Sequence, residues 1–110
     1  MQEIFNREPV NVSQTVLNKW KELGPFDVIA AFNQGQIKFD PNLEIKKIDY
    51  FKEGQITDDC LHVLHGIGRY DSDYLKEGAF STDYLNGYCR RIYSDGSYYV
   101  GYFLNDILHG

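Results

Sequence analysis

Residue types that could carry chemistry are few in this sequence, and most of them lie together. Cys60, His62 and His65 follow Asp58 and Asp59, and thiolate, imidazole and carboxylate groups are the ligands of zinc. A zinc site needs about four ligands that converge on one point, whereas in an extended strand Cys60 and His62 share a face and His65 points the other way. The spacing therefore favours strand and turn residues over a metal site, and no metal or other cofactor is predicted.

A general base and a reactive thiol are the other candidate groups. His65 and His109 each precede a glycine, so they occupy equivalent positions, as a structural role predicts. Neither has a serine or cysteine nucleophile placed beside it by the sequence. Cys89, between Tyr88 and Arg90, is interpreted as a small buried apolar residue. We therefore predict that the chain is not an enzyme and has no catalytic residue.

Composition and charge narrow the classes of function. With 110 residues, of which 43% are hydrophobic and 15% aromatic, the chain suits a single domain (residues 1–110) with a modest core. Residues 1–55 carry 7 basic and 8 acidic side chains, a net charge of −1, and residues 56–110 carry 4 and 8, a net charge of −4. Such a surface repels phosphate, so no nucleic-acid partner is predicted, and binding to acidic phospholipid is disfavoured.

The location of the protein is predicted from targeting signals and cysteine usage. Two cysteines are too few for a disulfide framework. No apolar run approaches the roughly 18 residues of a membrane span, and the N-terminal stretch contains no signal-peptide core. We therefore expect an intracellular protein, either cytoplasmic or associated with the cytoskeleton.

Glycines mark an internal repeat in the second half of the chain. The stretches YFKEGQI (50–56), YLKEGAF (74–80) and SYYVGYF (97–103) align on glycines 24 and then 23 residues apart, and a second glycine follows each in LHG, LNG and LHG. The two series are Gly54, Gly78 and Gly101, and Gly66, Gly87 and Gly110. Asp95-Gly96 is typical of a hairpin turn. The repeat predicts one β-hairpin per unit, and because a lone hairpin is marginally stable, successive hairpins are expected to stack.

The pattern also suggests a role for the glycine within each strand. Tyr99, Gly101 and Phe103 point to the same face of a strand. The glycine leaves a space between the two rings, and such a space usually marks the close approach of another backbone or ring. We expect a ring from the neighbouring hairpin to occupy it.

These motifs resemble the MORN (membrane occupation and recognition nexus) repeat over roughly residues 50–110. The matching positions are Asp95, Gly96, Tyr99, Gly101, Phe103, Asn105, His109 and Gly110, with His65, Gly66 and Gly68 of an HGxG motif. The copies are degenerate, with substitutions at Lys52, Lys76, Ile56, Cys89 and Asp106. The repeat and the resemblance together predict a mainly β fold: stacked antiparallel β-hairpins in a MORN-like repeat sheet, with a short N-terminal α-helix.

Residues 1–49 are predicted to form the helix and a cap region for the repeats at 50–110. The helix is predicted over 11–23, where apolar residues recur at helical spacing up to Trp20 and Leu23, and either Asn11 or Ser13 is expected to cap its start. Trp20 has two interpretations, packing on the sheet or docking on a partner. A hairpin turn is predicted around Gly35, where a further decayed repeat is one interpretation.

The predicted function is that of a non-catalytic scaffold or assembly subunit that binds another protein. Aromatic enrichment without clustered charge favours a protein interface, here predicted to include Trp20, Tyr98, Tyr102 and Phe103. The last predicted strand, 98–104, has no covering hairpin on its far side, so a larger complex is expected to cover it, with a homodimer as the alternative. The resemblance implies two other functions: a peripheral phospholipid-binding module using Arg90-Arg91, and an accessory segment of a longer enzyme.

Overall fold

The described residues form one antiparallel sheet preceded by three short helices. The structure is a computed structural model that describes residues 2–38, 40, 42, 44–56 and 63–109. The helices are α1 (Glu3–Asn6), α2 (Gln14–Leu23) and α3 (Val28–Asn33), and the strands are β1 (Ile45–Lys47), β2 (Lys52–Gln55), β3 (Gly66–Asp71), β4 (Leu75–Ser81), β5 (Tyr84–Ile92), β6 (Tyr98–Leu104) and β7 (Ile107–Leu108). Each strand pairs with the next along the chain. The predicted mainly β fold of antiparallel hairpins is confirmed.

The repeat glycines meet across this sheet. Positions that lie opposite one another form a continuous row through β2 to β6, which consists of Gly54, Gly68, Gly78, Cys89 and Gly101. A β-carbon on Gly78 would lie 2.6 Å from the carbonyl oxygen of Tyr88. Neighbouring backbone therefore fills the space at Gly78, which explains why that position carries glycine.

Gly101 differs from the expectation in one respect. A β-carbon there would lie 2.6 Å from Cε1 of Tyr99, so the ring that fills the space belongs to the same strand. The expected ring from a neighbouring hairpin is wrong. Tyr99 folds back over the glycine two residues later and packs edge-on against Phe103, with ring centroids 5.7 Å apart.

Short turns whose residues tolerate positive φ make the tight connections between neighbouring strands. Thr82-Asp83 joins β4 to β5 and Asn105-Asp106 joins β6 to β7, with φ values of 51° and 68° and of 49° and 69°. Positive φ at both central residues is typical of the two-residue hairpin turn that matches strand twist. The predicted turn at Asp95-Gly96 is confirmed, since the Gly96 N–H donates to the carbonyl of Tyr93 at 2.8 Å.

The helices cover one face of the sheet, which we call the helical face and define by Leu75, Glu77 and Ala79 of β4. Its core comprises Ile4, Phe5, Phe26, Val28, Ala31, Ile37 and Ile67, with a second cluster of Val16, Trp20, Leu75 and Ile92. The opposite face, the glycine face, is defined by Lys76, Gly78 and Phe80. It buries Leu64, Phe80, Leu85, Cys89 and Phe103.

The N-terminal half departs from the predicted pattern. Helix α2 begins at Gln14 rather than Asn11, because Ser13, the second of the two predicted caps, accepts the N–H of Val16 on its hydroxyl at 3.3 Å. Among the described residues around Gly35 there is no hairpin: the Gln36 N–H donates to the carbonyl of Ala31 at 2.9 Å, so this turn ends α3. The predicted hairpin at Gly35 is therefore wrong.

Candidate functional site

The histidines of the repeats take part in backbone pairing. The N–H of His65 donates to the carbonyl of Gln55 at 2.9 Å, and that of His109 donates to the carbonyl of Tyr102 at 2.8 Å. Both side chains are exposed. Cys60 and His62 lie outside the described residues. In the part of the chain that is described, no three His, Cys, Asp or Glu side chains are grouped so that they could hold a metal.

Cys89 lies in the core of the glycine face. It is fully buried, and its thiol lies 3.2 Å from the carbonyl oxygen of Ala79. Burial raises the pKa of this thiol to about 12, because the thiolate would lose its hydration. The thiol therefore stays protonated at neutral pH. Cys89 is a packing residue in the row that it forms with Gly54, Gly68, Gly78 and Gly101.

The Arg90-Arg91 pair is divided between the two faces of the sheet. Nε and Nη2 of Arg90 donate to Oε1 of Glu77 at 3.0 and 2.8 Å on the helical face. Arg91 points to the glycine face, where its guanidinium lies 5.2 Å from the ring centre of Tyr74 and 4.8 Å from that of Tyr93. The two arginines therefore do not form one basic patch.

Glu77 connects the sheet to the N-terminal segment through two arginines. Arg69 donates to Oε2 of Glu77 at 3.1 and 2.9 Å and also to the carbonyls of Phe5 and Arg7. Arg90 donates to the carbonyl of Gly24 at 2.8 Å. This buried network holds α1 and the end of α2 in place on the helical face, and so determines where the helical cover ends.

A lysine–aspartate contact that the sequence reasoning missed joins successive hairpins. Nζ of Lys52 lies 3.0 Å from Oδ2 of Asp83, and Nζ of Lys76 lies 2.7 Å from Oδ2 of Asp106. The second oxygen of each aspartate accepts a leucine N–H of the preceding hairpin, at 2.7 and 2.6 Å, from Leu64 and Leu85. An aspartate five residues after each strand glycine was the available signal.

The helical cover ends at β5 and leaves one face of β6 open. We call this the outer-strand surface; it consists of Tyr98, Val100, Tyr102 and Leu104, each between 41% and 48% exposed. An antiparallel strand with one solvated face usually carries polar residues there, but here all four side chains are apolar or aromatic. On its outer side β6 pairs with the short strand β7 at Phe103 and Leu104, and the carbonyl of Tyr102 accepts the N–H of His109.

Two of the four predicted interface residues are on this surface and two are not. Tyr98 and Tyr102 lie on it. Phe103 is only 3% exposed, because alternation along the strand turns it toward the glycine face. Trp20 is 7% exposed and packs beside Leu75 and Ile92, the first of its two predicted roles. Phe103 and Trp20 are therefore removed from the predicted interface.

A cleft of about 220 Å³ lies beside the outer-strand surface. It runs between α3 and strands β5 and β6, and its lining residues include Phe26, Asp27, Ala30, Gln34, Tyr88 and Val100. Arg90 also borders it, with its charge engaged by Glu77. The lining thus combines apolar residues with the polar Asp27, Gln34 and Arg90, and the cleft is a local depression beside the outer-strand surface.

None of the helices in the described ranges is long and apolar enough to cross a membrane. Comparison with known proteins found no family model, no curated protein and no solved structure that matches the chain.

Proposed function

We propose that the chain is a non-catalytic scaffold or assembly subunit, a degenerate MORN-type repeat protein that works inside the cell. It binds another protein through the outer-strand surface, as part of a larger complex. The observation that supports this most is the open, apolar face of β6, whose four alternate side chains remain 41–48% exposed. Exposed apolar patches with a polar surround mark interaction sites more often than chance.

Peripheral phospholipid binding has less support. Arg90 is buried against Glu77, and Arg91 faces the other side between two tyrosine rings. A membrane surface would therefore meet at most one of the two arginines, each of which contributes only about 1 kcal/mol near anionic lipid. The net charge of −4 on residues 56–110 opposes even that contribution.

The test is quantitative capture of partners from the native source with matched variants. Val100→Lys places a charge on the outer-strand surface, and Phe51→Lys places the same charge on a residue of matched exposure (41% and 40%) immediately before β2. We expect proteins captured by the wild type to be lost with Val100→Lys and kept with Phe51→Lys. Equal capture by all three chains would contradict the proposal.

A further inference from the structure

We propose that the outer-strand surface receives an amphipathic helix of a partner protein whose polar flanks are basic, with one apolar side chain of that helix in the cleft beside α3. The inference rests on the proposed function and names the chemistry of its partner.

The first support is the way in which the rest of the same face is covered. Over β4 and β5, α2 places Val16 and Trp20 on Leu75 and Ile92. Residues of α1 and α3 cover Ile67 and the neighbouring apolar side chains. The outer-strand surface continues this face by one strand, so one more helix extends an arrangement that the sheet already accepts.

The second support is dimensional. From Tyr98 to Leu104 the surface runs about 20 Å along the strand, the length of a helix of about 14 residues. The cleft, at about 220 Å³, is below the range of about 300–1,000 Å³ typical of small-molecule sites. It suits a single large apolar side chain, which is how buried anchors at protein interfaces are seated.

The third support is charge. Asp27 borders the cleft and Asp95 lies in the turn before β6; both are exposed, and neither forms an ion pair among the described residues. Their carboxylates accept only local hydrogen bonds, from Ala30 and from Ser97. Lys19, 5.8 Å from the ring centre of Tyr98, is paired with Glu22 at 2.6 Å. The uncompensated charge beside the surface is negative, which favours lysine and arginine on the partner.

The experiment uses the full chain and three synthetic peptides of about 18 residues, built on helical periodicity. One has leucines along one face and lysines on the flanks, the second replaces lysine by glutamate, and the third scrambles the first so that no apolar face forms. Affinity is measured by fluorescence anisotropy, and the contact site by amide chemical shifts. We expect the first peptide to bind at least tenfold more tightly than the others and to shift Ala30, Val100 and Tyr102.

Matched variants locate the binding. Val100→Lys, or Tyr102→Lys should the first variant fold poorly by circular dichroism, is expected to weaken the lysine peptide at least tenfold, and Phe51→Lys less than twofold. Equal binding of the lysine and glutamate peptides, or binding that Val100→Lys does not change, overturns the inference. A dimer seen in light scattering that Val100→Lys abolishes also overturns the inference. Binding to phosphatidylserine vesicles that Val100→Lys abolishes overturns it as well.

The two proposals fail differently. If no peptide binds while Val100→Lys still removes a partner captured from the native source, the helix is wrong and the proposed function stands. If capture does not depend on Val100, the proposed function fails, whatever the peptides show.

Discussion

Glu77 is the charge on which the attachment of the N-terminal segment should depend most. The side chain is fully buried, and the side chains of its two arginine partners are each 6% exposed. Glu77→Gln keeps the shape and one acceptor oxygen but removes the charge that both guanidiniums share. Breaking a buried ion pair from one side usually costs about 3–5 kcal/mol, because the remaining charge loses its compensation.

Two features of the site place the expected loss near the lower end, at about 3 kcal/mol. The glutamine oxygen can still accept the two hydrogen bonds of one arginine, and Arg69 and Arg90 keep their bonds to the carbonyls of Phe5, Arg7 and Gly24. Since domains of this size are stable by about 5–15 kcal/mol, such a loss is a large share of the total.

Urea unfolding at neutral pH measures this loss. Circular dichroism follows the sheet, and the fluorescence of Trp20, the single tryptophan, follows α2. Glu53→Gln is the matched control, since the Glu53 side chain is 21% exposed and pairs with Arg7 at 59% exposure, a setting where a pair contributes about 1 kcal/mol or less. A loss below about 1 kcal/mol for Glu77→Gln, or one equal to that of Glu53→Gln, would refute the reasoning.

Three further predictions concern the repeats. Gly101→Val should lower the free energy of unfolding by about 1–3 kcal/mol, because the added side chain crowds the ring of Tyr99. Gly78→Val should lower it by more, because the two atoms nearest to its added β-carbon are backbone atoms. Thermal melts that rank the two variants in the opposite order would contradict this. Asp106→Asn should cost about 1 kcal/mol, since it removes one charge from a lysine contact but keeps a residue that tolerates positive φ. Asp83→Asn should cost less, because Lys52 keeps a second carboxylate, Asp49, at 3.8 Å. Denaturation curves that rank the two variants in the opposite order would contradict this. In a Cys60→Ser background, Cys89 should resist a thiol reagent at pH 8 in the native state and react only in denaturant. The reason is that burial raises the pKa of its thiol to about 12. Rapid labelling of the native protein would show that the thiol is accessible and contradict this.

The sheet was predictable because its glycines recur periodically along the sequence. The helices that cover it carry no such periodic signal. Glycines 24 and 23 residues apart identify repeated hairpins even when their neighbours vary. Helices α1 and α3 span four and six residues, too few for helical periodicity to show. The Glu77 network joins residues 8 and 13 positions apart, and they meet only after the strands have paired in register.

The candidate surface was half predictable, for a reason that lies in strand geometry. Tyr98 and Tyr102 were identified as an open surface, but Phe103 was grouped with them although residues of odd and even number in one strand face opposite ways. Val100 and Leu104 share the parity of the two tyrosines and were missed. Parity alone cannot say which face is open, because that depends on where the helices end.

The outer-strand surface is exposed because the helices that cover this face of the sheet end at β5. The Glu77 network fixes α1 and the end of α2 above β3 to β5, and the lysine–aspartate contacts join the hairpins on the other face. Neither set of contacts involves the outward side chains of β6. Of these, Tyr102 packs edge-on against Tyr88 with ring centroids 5.4 Å apart, and all four remain 41–48% exposed. Exposed apolar side chains favour aggregation unless something covers them. Four of them in alternation, beside a cleft and the exposed carboxylates of Asp27 and Asp95, are therefore better explained by contact with a partner than by the folding of this chain.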